Sequence, residues 1–522
     1  MSLLKSAATV SSFTLLSRIL GFVRDILMAA ALGAGPVAEA FVVAFRFPNL
    51  FRRFFGEGAF NSAFVPLFAK RLEGEGPEAA RRFAEEALSG LLFVLLLFTG
   101  IAELAMPVFV WMIASGFAGD PEKFDLTVLL TRLAFPYLLC MSLVALLGGV
   151  LNSLHRFAVA AAAPIALNIV LIAVLGLARA AGWDGTPRTG IALAAGVSIA
   201  GIVQIALLWA AAARAGFALR LRMPRPGAAM KRLLMLGIPG VIAGGITQLN
   251  LVISTIISSW QPGAPAWLYY ADRIYQLPLG LIGVAIGIVL LPDISRRLRA
   301  ADDEGVFGAQ NRALEFALLF TVPAALALMA VPQPVVEVLF ERGRFSPEDT
   351  TATARALAAF AAGLPAYVMI KVFSPGFFAR EDTRTPMLYA GVSVAVNIAG
   401  ALVLFPYLQH VGIALATAAA AWVNAFLLAT TLQRRGAWRT DAQLRRNLPR
   451  ILLAAFVMGL ALLGLERLIG GFFMPEFLFW FRLALLCGLV IAGVVVYFGL
   501  AWLLGAITRA DLRRALRRPA AE

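Results

Sequence analysis

Residues 17–25 read Ser17-Arg18-Ile19-Leu20-Gly21-Phe22-Val23-Arg24-Asp25, and residues 46–57 read Arg46-Phe47-Pro48-Asn49-Leu50-Phe51-Arg52-Arg53-Phe54-Phe55-Gly56-Glu57. Both stretches belong to apolar runs long enough to be membrane-spanning helices, and Glu39 lies between them. An arginine facing lipid at mid-membrane costs about 3 kcal/mol on insertion scales. These side chains must therefore face the protein interior, water or one another. A cationic interior in an apolar protein fits an anionic cargo.

The rest of the chain agrees with a membrane setting. Hydrophobic residues make up 61% of its 522 residues and charged residues only 14%, against about one quarter charged in soluble domains. The expected class is an all-α polytopic membrane protein. At roughly 20 apolar residues per span, it holds about 14 transmembrane helices. The net charge of +15 is not read as a nucleic-acid footprint, because its arginines collect in alternate loops. Those loops carry Lys70 to Arg82, Arg214 to Arg232, Arg296 to Arg299, Arg380 and Arg384, Arg434 to Arg450, and Arg509 to Arg518. The intervening loops hold little beyond Lys123, Arg188, Arg342 and Arg344. This asymmetry places both termini in the cytoplasm, and residues 508–518 read as an amphipathic surface helix.

Helix 1 is expected over 7–33, helix 2 over 37–66, helix 3 over 86–114 and helix 8 over 266–292, with a charged loop over 70–82. The chain also repeats. Pro164 precedes Gly190-Ile191-Ala192-Leu193-Ala194 by the distance that separates Pro386 from Gly412-Ile413-Ala414-Leu415-Ala416. The reading is two six-helix lobes plus a two-helix C-terminal extension. The N-lobe covers 1–213, a basic cytoplasmic linker 214–232, and the C-lobe 233–432. A cytoplasmic loop over 433–450 leads to helices 13 and 14 and a basic tail over 451–522.

On helix 1, Ser17, Gly21 and Arg24 recur at i, i+4 and i+7, with Arg18 and Asp25 beside them, so one broad stripe carries all five. On helix 2, Arg53 and Glu57 are spaced to pair along the helix, leaving Arg52 available. On helix 8, Asp272, Arg273 and Gln276 open a polar face before Pro278. Guanidinium stays charged at low dielectric and presents the planar donor set that a diphosphate needs. The expected substrate-binding residues are therefore Arg24, Arg52, Arg273, Arg18 and Ser17. Asp25, Glu39, Arg53, Glu57 and Asp272 are the expected supporting or gating residues. The competing reading of these charges is a set of salt bridges between lobes. Trp260, Trp267, Tyr269 and Tyr270 are expected as an interfacial aromatic belt. Cys140 and Cys487 are expected as buried free thiols, and His155 and His410 lie at helix ends. No removable signal peptide, nucleophile–base pair, phosphate loop or metal spacing is read, so neither an enzyme nor a cofactor is expected.

The motifs at 17–25 and 47–60 resemble the MurJ (MviN) lipid II flippases. So do Ala63-Phe64-Val65-Pro66, Tyr269-Tyr270-Ala271-Asp272-Arg273, Lys371-Val372, Pro375-Gly376-Phe377 and Thr385-Pro386. The resemblance covers the whole chain. It implies a fourteen-helix fold of the multidrug/oligosaccharidyl-lipid/polysaccharide exporter superfamily. It further implies transport, by alternating access in the bacterial inner membrane, of the undecaprenyl-diphosphate-linked peptidoglycan precursor, lipid II. Arg24, Arg52 and Arg273 would contact the headgroup, and helices 13 and 14 the lipid tail. Expected partners are lipid II, membrane lipids and the cell-wall synthesis machinery, with no nucleic acid. Rival readings are a flippase for another polyprenyl-diphosphate sugar, a cation or drug antiporter of the same superfamily, and a scaffold for cell-wall synthesis. Glu39 stands where the family often has aspartate, and Arg46 where lysine is common.

Overall fold

The computed structural model describes residues 3–52, 59–222, 235, 248, 250–474 and 476–507. The described residues are helical throughout, with no strands among them. Ten of their helices are long and apolar enough to cross a membrane. The chain divides into two compact units, residues 1–266 with 343–345, and residues 267–342 with 346–522.

In the first unit α1 is Leu3–Leu32, α2 Pro36–Arg52, α3 Ala59–Gly74, α4 Pro77–Leu104 and α5 Met106–Ile113. Then come α6 Pro121–Ala134, α7 Tyr137–Ser153, α8 Phe157–Ala180 and α9 Pro187–Arg214. Prolines set most of the starts, because the first turn has no use for the missing N–H. They also explain where the structure departs from the sequence reading. The expected helix 3 breaks at Ala105, ahead of Pro107, into α4 and α5. The expected charged loop over 70–82 is mostly helix: α3 runs to Gly74 and α4 begins at Pro77, so its charges sit on helix surfaces. The segment entering the basic linker is pinned to α4. Fully buried Glu85 accepts from Arg222 Nε (2.5 Å) and from Arg220 N (3.1 Å). Residues 343–345 pack in this unit through main chain. Arg344 N donates to Ala30 O (2.9 Å), and Gly185 N donates to Ala31 O (2.8 Å). Gly33 (φ +65°) and Gly343 (φ +61°) make the approach possible, since a Cβ on either would fall within 2.4 Å of a carbonyl oxygen.

In the second unit α10 is Ala264–Arg299, whose first three residues belong to the first unit, α11 is Asp303–Ala330, α12 Pro332–Phe340, α13 Pro347–Ala361 and α14 Leu364–Phe378. Next come α15 Arg384–Leu408, α16 His410–Arg434, α17 Ala442–Ile469 and α18 Phe479–Leu503. α10 runs on past the expected end at 292, through Pro278 and Pro292. Two features bind the α16–α17 connection and α18 to the body of this unit. Trp438, 5% exposed, stacks edge-on to Phe373 at 5.0 Å and donates Nε1–H to Asn311 (3.0 Å). Tyr497 donates its hydroxyl to Leu319 O (2.7 Å).

The expected aromatic belt is corrected in part. Tyr269 and Tyr270 are 3% and 0% exposed, and Tyr270 packs on Phe340 at 5.2 Å. Trp267 donates to Asp349 (2.8 Å), and only Trp260 of the four is exposed. Alternating aromatic and apolar residues look the same to a core as to an interface, so the pattern alone misassigned them. Cys140 is buried as expected, but Cys487 is exposed.

Trp438→Ala removes a buried indole and its hydrogen bond. It should cost about 3–5 kcal/mol, read as a lower denaturation midpoint in detergent. Asp382, in the turn before α15, has its carboxyl pulled down to about 2. Arg435 is the main cause, at 2.6 Å, followed by the Thr385 N–H and hydroxyl. Its folded pKa lies below the unfolded value of about 3.9. Its contribution is therefore complete above about pH 4 and is lost as pH falls through about 2. Asp382→Asn should lower the midpoint slightly at neutral pH, and the difference from wild type should shrink between about pH 4 and pH 2.

Candidate functional site

α1 carries two adjacent charges where it is buried. Arg24 is 8% exposed and Asp25 2%. The guanidinium donates through Nε (3.0 Å) and Nη2 (2.7 Å) to one oxygen of Asp25, and through Nη1 to Asn168 Oδ1 on α8 (3.0 Å). Its carbon also lies 5.7 Å from the ring centroid of Phe45 on α2. A desolvated arginine is tolerable because a carboxylate and a neutral acceptor replace its water. Ser17, half-buried, meets the same asparagine: Asn168 Nδ2 donates to Ser17 O (2.9 Å). Arg18 is exposed, one step round the helix from this cluster.

On α2 the charges serve two different ends. Glu39 is 2% exposed, with Oε2 2.8 Å from Lys123 Nζ on α6 and Oε1 accepting from Gly263 N at 2.8 Å. Lys123, 8% exposed, also sits 4.0 Å over the Phe117 ring. Gly263 has φ +84°, which turns its N–H toward the carboxylate. Further along, Arg46 Nη1 donates to Thr255 Oγ1 (3.1 Å) beside a small pocket lined by Val43, Phe47, Ile113, Leu251 and Val252. Arg52 closes α2. Its side chain, with Arg53 and Glu57, lies outside the described residues, and so does the expected Arg53–Glu57 pairing.

In the second unit, Arg273 is half-buried, its guanidinium 4.6 Å over the Tyr269 ring. Asp272, also half-buried, accepts from Gln276 one turn on. The structure thus joins Ser17, Arg24 and Asp25 into one cluster, and Asp272 and Gln276 into another. Sequence reading missed Asn168, Lys123 as the partner of Glu39, and Gly263. Asn168 had one available signal, a lone amide in the apolar run after Pro164.

Lys123→Met leaves a buried carboxylate without its cation and should cost about 3–5 kcal/mol. The double variant Glu39→Gln/Lys123→Met should recover part of that loss. Additive losses in a thermal double-mutant cycle would mean that the pair is not coupled.

A family model described as "Lipid II flippase MurJ" matches residues 28–484. The probable lipid II flippase MurJ of Rhizobium meliloti (strain 1021) is 51% identical over 521 residues, covering 100% of this chain and 97% of its own. The lipid II flippase MurJ of Burkholderia cenocepacia is 33% identical, covering 97% of this chain and 98% of its own. Among solved structures, a lipid II flippase MurJ in an inward closed conformation aligns with TM-score 0.78 at 24% identity, covering 97% of this chain and 99% of that one. An inward-facing multidrug resistance MATE family transporter of the MOP superfamily aligns with TM-score 0.67 at 15% identity, covering 82% and 98%. These two share its fold. With its family model matched over most of its length and relatives aligned end to end, this multi-pass membrane chain belongs to the MurJ lipid II flippase family.

Proposed function

We propose that this chain moves lipid II from the inner to the outer leaflet of the bacterial inner membrane, and that Arg24 is a ligand for the diphosphate. The observation that carries the reading is a guanidinium buried on α1 and held by the Asp25 carboxylate and the neutral Asn168 amide. Arg273, Arg52, Arg18 and Ser17 complete the proposed headgroup contacts, with Asp25, Glu39, Arg53, Glu57 and Asp272 in support. The two six-helix lobes and the extension of helices 13 and 14, with both termini cytoplasmic, remain part of this reading. Transport is by alternating access and makes or breaks no covalent bond. The cell-wall synthesis machinery is proposed as a partner.

The energetics follow from charge. An anion entering the site exchanges water for charge-assisted hydrogen bonds, each worth about 1.5–3 kcal/mol. Asp25 lowers the cost of the empty state by keeping the guanidinium partnered. An inside-negative potential supplies about 2.3 kcal/mol per charge per 100 mV for outward movement of the anion. The same field favours inward return of an unloaded cationic site.

Export of lipid II from the inner leaflet of reconstituted vesicles tests the assignment. Arg24→Ala should slow export tenfold or more. Arg24→Lys should recover little, because an ammonium cannot reproduce the planar donor set. Export at the wild-type rate in Arg24→Ala would remove this residue from the site.

A further inference from the structure

α8 has five buried positions, Ala163, Asn168, Leu171, Leu175 and Ala178, and the last four form one narrow stripe. Asn168 is the polar member of that stripe and is 5% exposed. Its carboxamide lies over Gly21, where a Cβ would sit 3.6 Å from both its oxygen and its nitrogen. Ser17 lies one turn before that glycine and Arg24 nearly one turn after. The oxygen accepts from Arg24 Nη1 at 3.0 Å. The nitrogen donates to Ser17 O at 2.9 Å and lies 3.5 Å from Ser17 Oγ.

We propose that Asn168 is a positioning residue for anion transport, fixing the direction of the Arg24 guanidinium without neutralising its charge. The amide can face only one way. Flipped, it would set its NH2 against the guanidinium and its oxygen against the Ser17 carbonyl, so donor would meet donor and acceptor would meet acceptor. The Ser17 carbonyl therefore orients the amide, and the amide orients Arg24. Neutrality matters as much as geometry. Asp25 already holds Nε and Nη2 on a single oxygen. A second carboxylate at 168 would place the cation between two anions and weaken its pull on a diphosphate. An aliphatic residue there would remove the amide acceptor from Nη1 and loosen the orientation of the guanidinium.

This inference rests on Arg24 being a headgroup ligand, and the test separates the two. Full-length protein in nanodiscs is titrated with fluorescent lipid II, and each variant's thermal midpoint is measured alongside. Asn168→Ala should weaken binding three- to tenfold. Asn168→Asp should weaken it at least tenfold, with only a modest fall in midpoint, because pairing with Arg24 offsets the carboxylate oxygen set against the Ser17 carbonyl. Arg24→Ala is the reference and should lose tenfold or more. If Arg24→Ala loses affinity while both Asn168 variants bind as wild type, the positioning role is overturned. It is equally overturned if both Asn168 variants lower only the midpoint, since a residue that merely ties α8 to α1 would do that. If Arg24→Ala itself binds lipid II normally, the headgroup reading fails first and the Asn168 role falls with it.

Discussion

A guanidinium taken out of water must find its replacement solvent inside the protein. That constraint shapes α1 and whatever packs against it. Arg24 sits among apolar helices with Asp25 beside it and Asn168 facing it across the helix interface. Gly21 lies beneath the asparagine, whose carboxamide would meet a Cβ there at ordinary van der Waals distance, 3.6 Å.

Three other carboxylates meet a related demand. Glu39 lies between Lys123 and the Gly263 N–H, Glu85 between Arg222 and the Arg220 N–H, and Asp382 between Arg435 and the Thr385 N–H. Each meets a cation and a main-chain donor, and Glu85 also lies 3.5 Å from a second cation, Arg81. A carboxylate has two oxygens and several lone pairs, so one cation leaves part of it unserved, and a backbone N–H completes the shell. The consequence is mechanical as well as electrostatic. Each glutamate attaches a connecting segment to a helix, and the aspartate fixes the start of α15.

Much of this was legible from residue type. Arg24, Asp25 and Glu39 stand out because charge in an apolar run demands an explanation. The all-helical membrane fold follows from run length and loop charge. What stayed hidden were the partners. Asn168 is 144 residues from Arg24 and uncharged, and Lys123 read as a stray basic residue in a poorly charged loop. Proline positions were visible, but whether a proline starts, breaks or merely bends a helix depends on its neighbours. Pro107 starts one helix while Pro278 and Pro292 are carried inside another. Tyr269 and Tyr270 went wrong for a related reason: an aromatic's environment is decided by what faces it across space.

Where residues 343–345 lie against the Ala30–Gly33 turn, the hydrogen bonds run between amides and carbonyls. Such a junction is nearly blind to amino-acid identity except at its glycines. Drift at Arg344 would leave the main-chain bonds intact, while any replacement at Gly33 or Gly343 would have to push a carbonyl aside.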